Sequence, residues 1–232
     1  MENILALDIG ARSLKLYSES GVGVQRVILH NIWSISKKYI VDTVKSISEE
    51  YQMHFDSIAV ACAGTVKDNR LKFYWGQPAL IGLNPENFKA LGVQRVCILN
   101  DAEAVFWDSG MSKNEVLTIT VGSYIGAYPF EQDSFKGFVI LSLINGVLHS
   151  QLCPKKRTDA KLQKAAKLIA KLCKKLMTLT NAQSLFLAGG GTSNEHIAVC
   201  LSKESLQFQI AENPRFSGCR GAIKALLTKE FS

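Results

Sequence analysis

Apolar residues recur along the chain with two different spacings, which predict alternating strands and helices. Short apolar runs such as "NILALDI" and "FDSIAVACAG", each bounded by a small-residue turn, predict buried strands. Between Tyr39 and Tyr51 the apolar residues lie three and four positions apart, which predicts a helix. The same helical spacing returns in "KLQKAAKLIAKLCKKL", where lysines line the opposite face. Strands that alternate with helices are typical of an α/β fold.

One arrangement of elements occurs twice. Each copy begins with a strand, a glycine turn and a second strand, in "LALDIGARSLKL" and again in "VLTITVGSYIGA", and then continues into helix and strand. The copies meet near residues 101–110, without a linker rich in Pro, Gly or Ser. We therefore expect two lobes, residues 1–102 and 103–217, with the final helix, about 218–232, packing back on the first lobe. Ligands favour the cleft between two such lobes.

Two further segments carry clear local signals. "NPENFKALG" predicts a short helix with Asn84 as its N-cap, Pro85 at its first position and Gly92 just past its end. The dipeptide Asn145-Gly146 in "INGV" predicts a β-hairpin, because both residues tolerate the positive φ that a tight turn needs. These signals place a turn or a helix end without reference to the rest of the fold.

Composition and charge restrict the class of protein. The chain has 232 residues, of which 47% are hydrophobic and 20% charged, as in an ordinary globular protein. No apolar run approaches the roughly 20 residues that span a bilayer, and the start does not resemble a secretory signal. We therefore expect a cytoplasmic protein without a membrane partner. The six cysteines lie far apart, so we expect buried free thiols and no structural zinc site.

The basic charge is concentrated in one helix. The net charge is +7, and much of the excess comes from "PKKRTDAKLQKAAKLIAKLCKKL", residues 154–176. No aromatic residues are interleaved with the lysines, and no finger motif or N-terminal helix-turn-helix is present. We interpret the lysines as the solvated face of an amphipathic helix and expect no nucleic-acid partner.

Asp8 and four glycine turns are the candidate functional features. Asp8 interrupts the first apolar run, and a carboxylate there is costly to bury unless it is paired. The turns are "DIGARS", "TVGSYIGA", "LAGGGTSN" and "SGCRGA". Glycine lets backbone N–H groups approach an anion such as a phosphate. None of these turns matches a P-loop or a Rossmann fingerprint.

The order of these motifs resembles the actin/Hsp70/hexokinase superfamily, and within it the bacterial glucokinase and ROK-type sugar kinases. "LALDIGARSLKL" and "VLTITVGSYIGA" resemble the two phosphate hairpins of that family. "FDSIAVACAGTV" resembles the segment before the sugar loop, and "GVQRVCILNDAEAV" the sugar-contacting catalytic segment. "LFLAGGGTSN" resembles the adenosine loop, and "FSGCRGAIKALL" the closing segment. The matches run in order from residue 4 to about residue 227.

The resemblance implies a fold, cofactors and site residues. The fold is two actin-like (ribonuclease H-like) lobes, each with a mixed sheet, and a nucleotide cleft between them. Asp101 matches the catalytic base, Asn100 and Gln77 match sugar ligands, and Asp8 matches the aspartate that holds Mg²⁺ through water. The positions that match the ATP-binding turns are Gly10, Arg12, Ser13, Gly122, Ser123 and Gly126 for the phosphates and Gly189, Gly190 and Gly191 for adenosine.

Three departures from the family pattern leave alternatives open. Arg12 stands where the family has a small hydroxyl residue, so it either binds a phosphate or blocks its place. Tyr124 replaces a glycine of the second hairpin, and the Glu-x-Gly-His sugar segment has no counterpart. In addition, Asn100-Asp101 has an alternative explanation as an Asx N-cap of a helix that starts at Ala102, although the neighbouring motifs favour catalysis or sugar contact.

The first functional hypothesis is ATP-dependent phosphoryl transfer to a small sugar or sugar-like molecule, with Asp101 as general base. The second is a catalytically degraded relative that acts as a nucleotide-binding or protein-interaction module. A third is a kinase of an acyl or anhydro substrate from elsewhere in the superfamily. The expected partners are therefore a nucleotide and a small-molecule substrate, and a homodimer is left open.

Overall fold

The computed structural model describes residues 2–19, 23–30, 35–74, 77–123, 125–129 and 158–228. The chain divides into two compact units. Unit 1 comprises Met1–Asp108 and Gly218–Ser232, and unit 2 comprises Ser109–Ser217.

Strands and helices alternate along the described chain. The strands are β1 (Ile4–Ile9), β2 (Ser13–Ser18), β3 (Val24–Leu29), β4 (Ser57–Cys62), β5 (Thr65–Lys67), β6 (Arg70–Phe73), β7 (Arg95–Asn100), β8 (Val116–Val121), β9 (Ile125–Tyr128), β10 (Ser184–Ala188) and β11 (Phe208–Ile210). The α-helices are α1 (Lys37–Glu50), α2 (Asp101–Ser109), α3 (Asp159–Thr180), α4 (His196–Lys203) and α5 (Ser217–Thr228). Short 3₁₀ helices cover Pro78–Leu80, Pro85–Leu91 and Gly190–Ser193.

Unit 1 is built on a mixed five-stranded sheet in the order β3-β2-β1-β4-β7. β1, β2 and β3 pair antiparallel, whereas β1, β4 and β7 run parallel. All six residues of β1 are buried, because it lies in the middle of the sheet with both faces covered. In the hydrophobic core of unit 1, Leu5 and Leu7 of β1 cluster with Ile40 and Ile47 of α1 and with Phe88.

Unit 2 has a mixed four-stranded sheet in the order β11-β10-β8-β9. β8, β10 and β11 are parallel, and β9 pairs antiparallel with β8. α3 packs its apolar stripe on this sheet, with Ala166, Ile169 and Cys173 fully or almost fully buried. The helix predicted from the lysine-rich segment is confirmed, and its lysines at 161, 164, 167, 171, 174 and 175 are exposed.

The α/β class and the mixed sheet in each half are confirmed. The segment after Asn84 also begins and ends where predicted, with Asn84 as N-cap and Gly92 in the left-handed conformation. It is a 3₁₀ helix, however, and not an α-helix. α2 begins at Asp101, one residue earlier than predicted. The hairpin predicted at Asn145-Gly146 lies outside the described residues, as does Tyr124.

One hairpin was missed by the sequence pattern. β5 and β6 form a two-stranded antiparallel ladder joined by Asp68 and Asn69, both with positive φ. Two consecutive residues with positive φ define a type I′ turn, which Asn and Asp tolerate. Only Leu71 is buried in β6, so the hairpin gives little apolar alternation from which to predict it.

Two further expectations concern the cysteines and whether any described helix could cross a membrane. Cys62, Cys97, Cys173, Cys200 and Cys219 are buried free thiols, as predicted, while Cys153 lies outside the described residues. Among the helices that the structure describes, none has the length and apolar content needed to cross a bilayer.

Candidate functional site

The parallel strands of unit 1 bring several predicted site residues to one edge of the sheet. Ile9 pairs with Cys62, and Cys62 pairs with Asn100, so β1, β4 and β7 end at the same level. Asp8 lies one residue before this level and Asp101 one residue after it. Two strand spacings of about 4.8 Å and two residue rises of about 3.3 Å separate the backbones at Asp8 and Asp101 by roughly 12 Å. Ligands of open α/β sheets bind beyond the carboxyl ends of the strands.

Asp8 is paired with Lys15. The two residues are direct cross-strand partners in the β1–β2 ladder, and the Lys15 Nζ lies 2.5 Å from the Asp8 Oδ2. Their side chains are only 14% and 11% exposed. Burial lowers the pKa of Lys15, but the Asp8 carboxylate outweighs this and raises it, with a smaller contribution from Asp101. The ammonium is therefore charged at neutral pH and neutralises Asp8.

The first turn of α5 covers the same carboxylate. A Cβ added to Gly218 would lie 3.0 Å from the Asp8 Oδ2, so the helix backbone is in close contact with that oxygen. The next residue, Cys219, is fully buried, with its Sγ 3.8 Å from the Lys15 carbonyl oxygen. Burial raises the pKa of both Cys219 and Cys62 well above the usual thiol range. Both thiols stay protonated and add no charge to this cluster.

The Mg²⁺ ion predicted at Asp8 does not fit these residues. The Asp8 Oδ2 already accepts from an ammonium and faces the Gly218 backbone. Mg²⁺ requires a nearly octahedral set of oxygens and usually keeps several waters, and the contacts of Lys15 and Gly218 leave no room for such a set at the Oδ2. Across the described part of the chain, no group of three or more His, Cys, Asp or Glu side chains is placed to hold a metal ion.

Asn100 acts as the N-cap of α2. Its Oδ1 accepts from the backbone N–H of Ala102 at 2.9 Å and of Glu103 at 3.3 Å. Its Nδ2 donates to the Gly64 carbonyl oxygen at 2.8 Å, which ties the end of β7 to the start of the β5–β6 hairpin. Both ends of the amide therefore have structural partners, as the Asx-cap interpretation predicts.

Asp101 is half-buried at the first position of α2. Its Oδ1 accepts from the Ala102 N–H at 2.9 Å, which fixes the carboxylate at the N-terminal end of the helix. A helix N-terminus stabilises a negative charge. The carboxyl group is thus held on a strand-to-helix junction, which is a suitable position for a general base.

Gln77 is buried in unit 1. Its backbone N–H donates to the Tyr74 carbonyl oxygen at 3.4 Å, and the Tyr74 hydroxyl donates to the carbonyl oxygen of Ile9, the last residue of β1, at 3.3 Å. The Gln77 side chain is 1% exposed, and neither its Oε1 nor its Nε2 has a hydrogen-bond partner among the described residues. A buried amide without partners costs about 1–3 kcal/mol, so a polar ligand here would stabilise it.

The turn predicted to bind phosphate, Gly10–Ser13, connects β1 to β2. The Gly10 N–H donates to the Ser13 carbonyl oxygen at 2.9 Å, which closes the turn, and the His30 N–H donates to the Arg12 carbonyl oxygen at 3.1 Å. Arg12 and Ser13 are half-buried. The turn therefore lies directly beside Asp8, as the sequence order requires.

Unit 2 brings the remaining predicted residues together. A Cβ on Gly189 would lie 2.5 Å from the Val121 carbonyl oxygen, and one on Gly191 would lie 2.6 Å from the Val121 Cγ1. The glycine loop after β10 is therefore in contact with the end of β8, next to Gly122 and Ser123. Gly126 follows on β9, where its N–H donates to the Thr120 Oγ1 at 3.0 Å. Gly189 has φ +99°, which excludes a side chain there.

Sequence reasoning missed two residues of the unit 1 site. Lys15 was not predicted as a site residue. It could have been found by aligning the two strands across the Gly10 turn, because this alignment places Lys15 opposite Asp8. Gly64 was missed because its role depends on the unpredicted hairpin: a Cβ there would lie 2.2 Å from the Phe73 carbonyl oxygen.

No protein-family model matches the sequence, and no curated protein matches it at the sequence level. Solved structures do match. The inorganic polyphosphate/ATP-glucomannokinase from Arthrobacter sp. strain KM aligns with a TM-score of 0.75 and 16% identity, over 99% of this chain and 100% of that one. The ROK family glucokinase from Streptomyces griseus, solved with glucose and AMPPNP, aligns with a TM-score of 0.72 and 14% identity, over 98% and 100%.

A protein of a different kind has the same fold. A ROK family transcriptional regulator, a homologue of the E. coli MLC protein, aligns with a TM-score of 0.60 and 14% identity, over 97% of this chain and 78% of that one. At these identities the likeness concerns the fold. The chain has the fold of the ROK sugar kinases, which confirms the fold that the motif order implied.

Proposed function

We propose that the protein transfers a phosphoryl group from ATP to a hydroxyl of a small sugar or sugar-like molecule, with Asp101 as the general base. The proteins with the same fold include a glucokinase and a glucomannokinase, which supports sugar phosphotransfer as the general activity. Phosphoryl transfer depends mainly on positioning and charge stabilisation, to which the N–H groups of backbone turns contribute, while one carboxylate accepts the proton of the attacking hydroxyl.

The observation that carries the proposal is the buried amide of Gln77, which has no hydrogen-bond partner among the described residues. The amide presents one acceptor and two donors, a set that suits a polyhydroxylated ligand. The Gln77 backbone is hydrogen-bonded to the Tyr74 carbonyl oxygen, and the Tyr74 hydroxyl contacts Ile9 at the end of β1. We assign Gln77 to sugar binding. Asn100 would contribute at most the second hydrogen of its amide, because its other groups are engaged.

We assign the glycine turns to ATP. Gly10, Arg12 and Ser13 in unit 1 and Gly122, Ser123 and Gly126 in unit 2 are proposed phosphate-binding positions. Gly189, Gly190 and Gly191 are proposed to contact adenosine. The close approach of Gly189 and Gly191 to Val121 supports this, since it makes the two unit 2 turns one continuous surface of backbone groups.

The test is the Asp101→Asn variant in a steady-state assay of sugar-dependent ADP formation. Asn keeps an oxygen that can accept from Ala102 but cannot take a proton, so kcat should fall at least the ~10²-fold that a lost general base costs. ATP affinity, measured separately, should stay within about 2-fold. Glu103→Gln is the matched control, because it removes a carboxylate two residues further along the same helix and should leave kcat nearly unchanged. Equal loss in both variants would contradict the assignment of Asp101.

A second candidate function is a binding module that has the kinase fold without turnover. The use of Asn100 as a helix cap favours this candidate, as does the ROK transcriptional regulator among the similar structures. It predicts that ATP or a sugar binds to the wild-type protein, but that no sugar phosphate forms.

A further inference from the structure

Lys15 is the cation that lies on Asp8, at the position where the resemblance implies magnesium. Its Nζ is 2.5 Å from the Asp8 Oδ2, and both side chains are largely buried. The contact is fixed by the strand register, because Asp8 and Lys15 face each other directly in the antiparallel ladder. It therefore differs from the exposed ion pairs of this chain, such as Lys38 with Asp42, whose side chains are 84% and 58% exposed.

The surroundings of the pair leave no place for a second cation at that oxygen. The Gly218 backbone is packed against the Asp8 Oδ2 from the start of α5. The N-terminus of a helix also carries partial positive charge, so α5 adds to the neutralisation of the same carboxylate. A divalent ion at the Asp8 Oδ2 would have to displace the ammonium.

We propose that the Lys15 ammonium replaces a protein-bound divalent ion at Asp8 and supplies the fixed positive charge beside the Gly10–Ser13 turn. The role in phosphate binding rests on the proposed function, whereas the exclusion of the ion rests on the contacts alone. Asp8 is then a positioning residue: it holds Lys15, and it does not coordinate a metal. The charge of Lys15 also reaches Asp101, so the ammonium lies within electrostatic range of the proposed base.

The experiment uses Mn²⁺ alone as the probe, titrated into the full chain without nucleotide and followed by its electron paramagnetic resonance signal. The wild-type protein should show no site tighter than about 1 mM. Lys15→Met frees the carboxylate and should bind Mn²⁺ at least 10-fold more tightly. Asp8→Asn/Lys15→Met should lose this gain, and Lys15→Arg, which keeps the charge, should behave as the wild-type protein does. Lys38→Met is the matched control and should gain nothing.

Two results would overturn the proposal: a wild-type Mn²⁺ site that Asp8→Asn abolishes, or a folded Lys15→Met protein that gains no affinity. If Lys15→Met is unfolded, circular dichroism in 5 mM Mn²⁺ decides. If Mn²⁺ restores the folded signal of Lys15→Met, and the double variant is folded without Mn²⁺, the proposal is supported. If Mn²⁺ does not restore the folded signal of Lys15→Met, the proposal is contradicted. Because nucleotide and sugar are left out, failure here is distinguishable from failure of the proposed phosphotransfer.

Discussion

At the scale of single residues, the contact between α2 and α5 depends on Gly221. A Cβ there would lie 1.7 Å from the Ala104 carbonyl oxygen, so the two helices touch through their backbones. One turn of α2 further on, Arg220 donates to both carboxylate oxygens of Asp108, at 3.1 and 2.6 Å. The closing segment that the sequence singled out therefore has a packing role in unit 1, independent of any ligand.

We predict that Gly221→Ala destabilises the protein by about 3 kcal/mol, at the upper end of the ~1–3 kcal/mol typical of overpacking, because the helices must move apart. The measurement is the free energy of unfolding in urea. Gly190→Ala is the control: no atom lies within 4 Å of a Cβ at Gly190, so the change should be within about 0.5 kcal/mol. A stable Gly221→Ala protein would show that the contact between α2 and α5 is looser than described.

At the scale of elements, the N-terminus of α2 decides between two roles of Asn100. In the structure, the Asn100 side chain caps α2 and contacts Gly64. The family resemblance, in contrast, implies that the same side chain is a sugar ligand. The two roles make different predictions, because a cap affects the unfolding equilibrium and a ligand affects substrate affinity.

We predict that Asn100→Ala lowers the free energy of unfolding by about 1–2 kcal/mol, as expected for a lost N-cap. Asn100→Asp keeps the capping oxygen and should recover most of that loss. Asn84→Ala, which removes the cap of the Pro85–Leu91 helix, is the matched control and should cost about 1 kcal/mol. If Asn100→Ala unfolds like the wild-type protein and only raises the KM for sugar, the ligand role is correct and the cap is unimportant.

The elements themselves were predictable where the signal is local. Apolar spacing, the Asn84 cap and the glycine turns depend on neighbours in sequence, and they located most of the strands and helices. The β5–β6 hairpin was missed because its turn, Asp68-Asn69, is a weaker signal than Asn-Gly and only one residue of β6 is buried. The ion pair between Asp8 and Lys15 was missed, because it depends on the register of β1 and β2, which places Lys15 opposite Asp8.

At the scale of the whole molecule, the repeated strand–turn–strand arrangement corresponds to two compact units, each with a mixed sheet. Unit 1 holds Asp8, Asn100 and Asp101 at one sheet edge and Gln77 in its interior, and unit 2 holds the glycine turns around Val121. The candidate site residues were therefore predictable as two groups. Their chemistry was less predictable, because whether a side chain is already paired depends on burial and on contacts distant in sequence.

The most direct test of the central claim is transfer of the γ-phosphoryl group of labelled ATP to a panel of sugars and polyols by the wild-type protein, with the products identified by mass spectrometry. We expect a labelled sugar phosphate that forms only when the protein and one class of sugar are both present. ATP binding detected by a raised melting temperature, without any sugar phosphate from the whole panel, would contradict phosphotransfer and select the binding-module function.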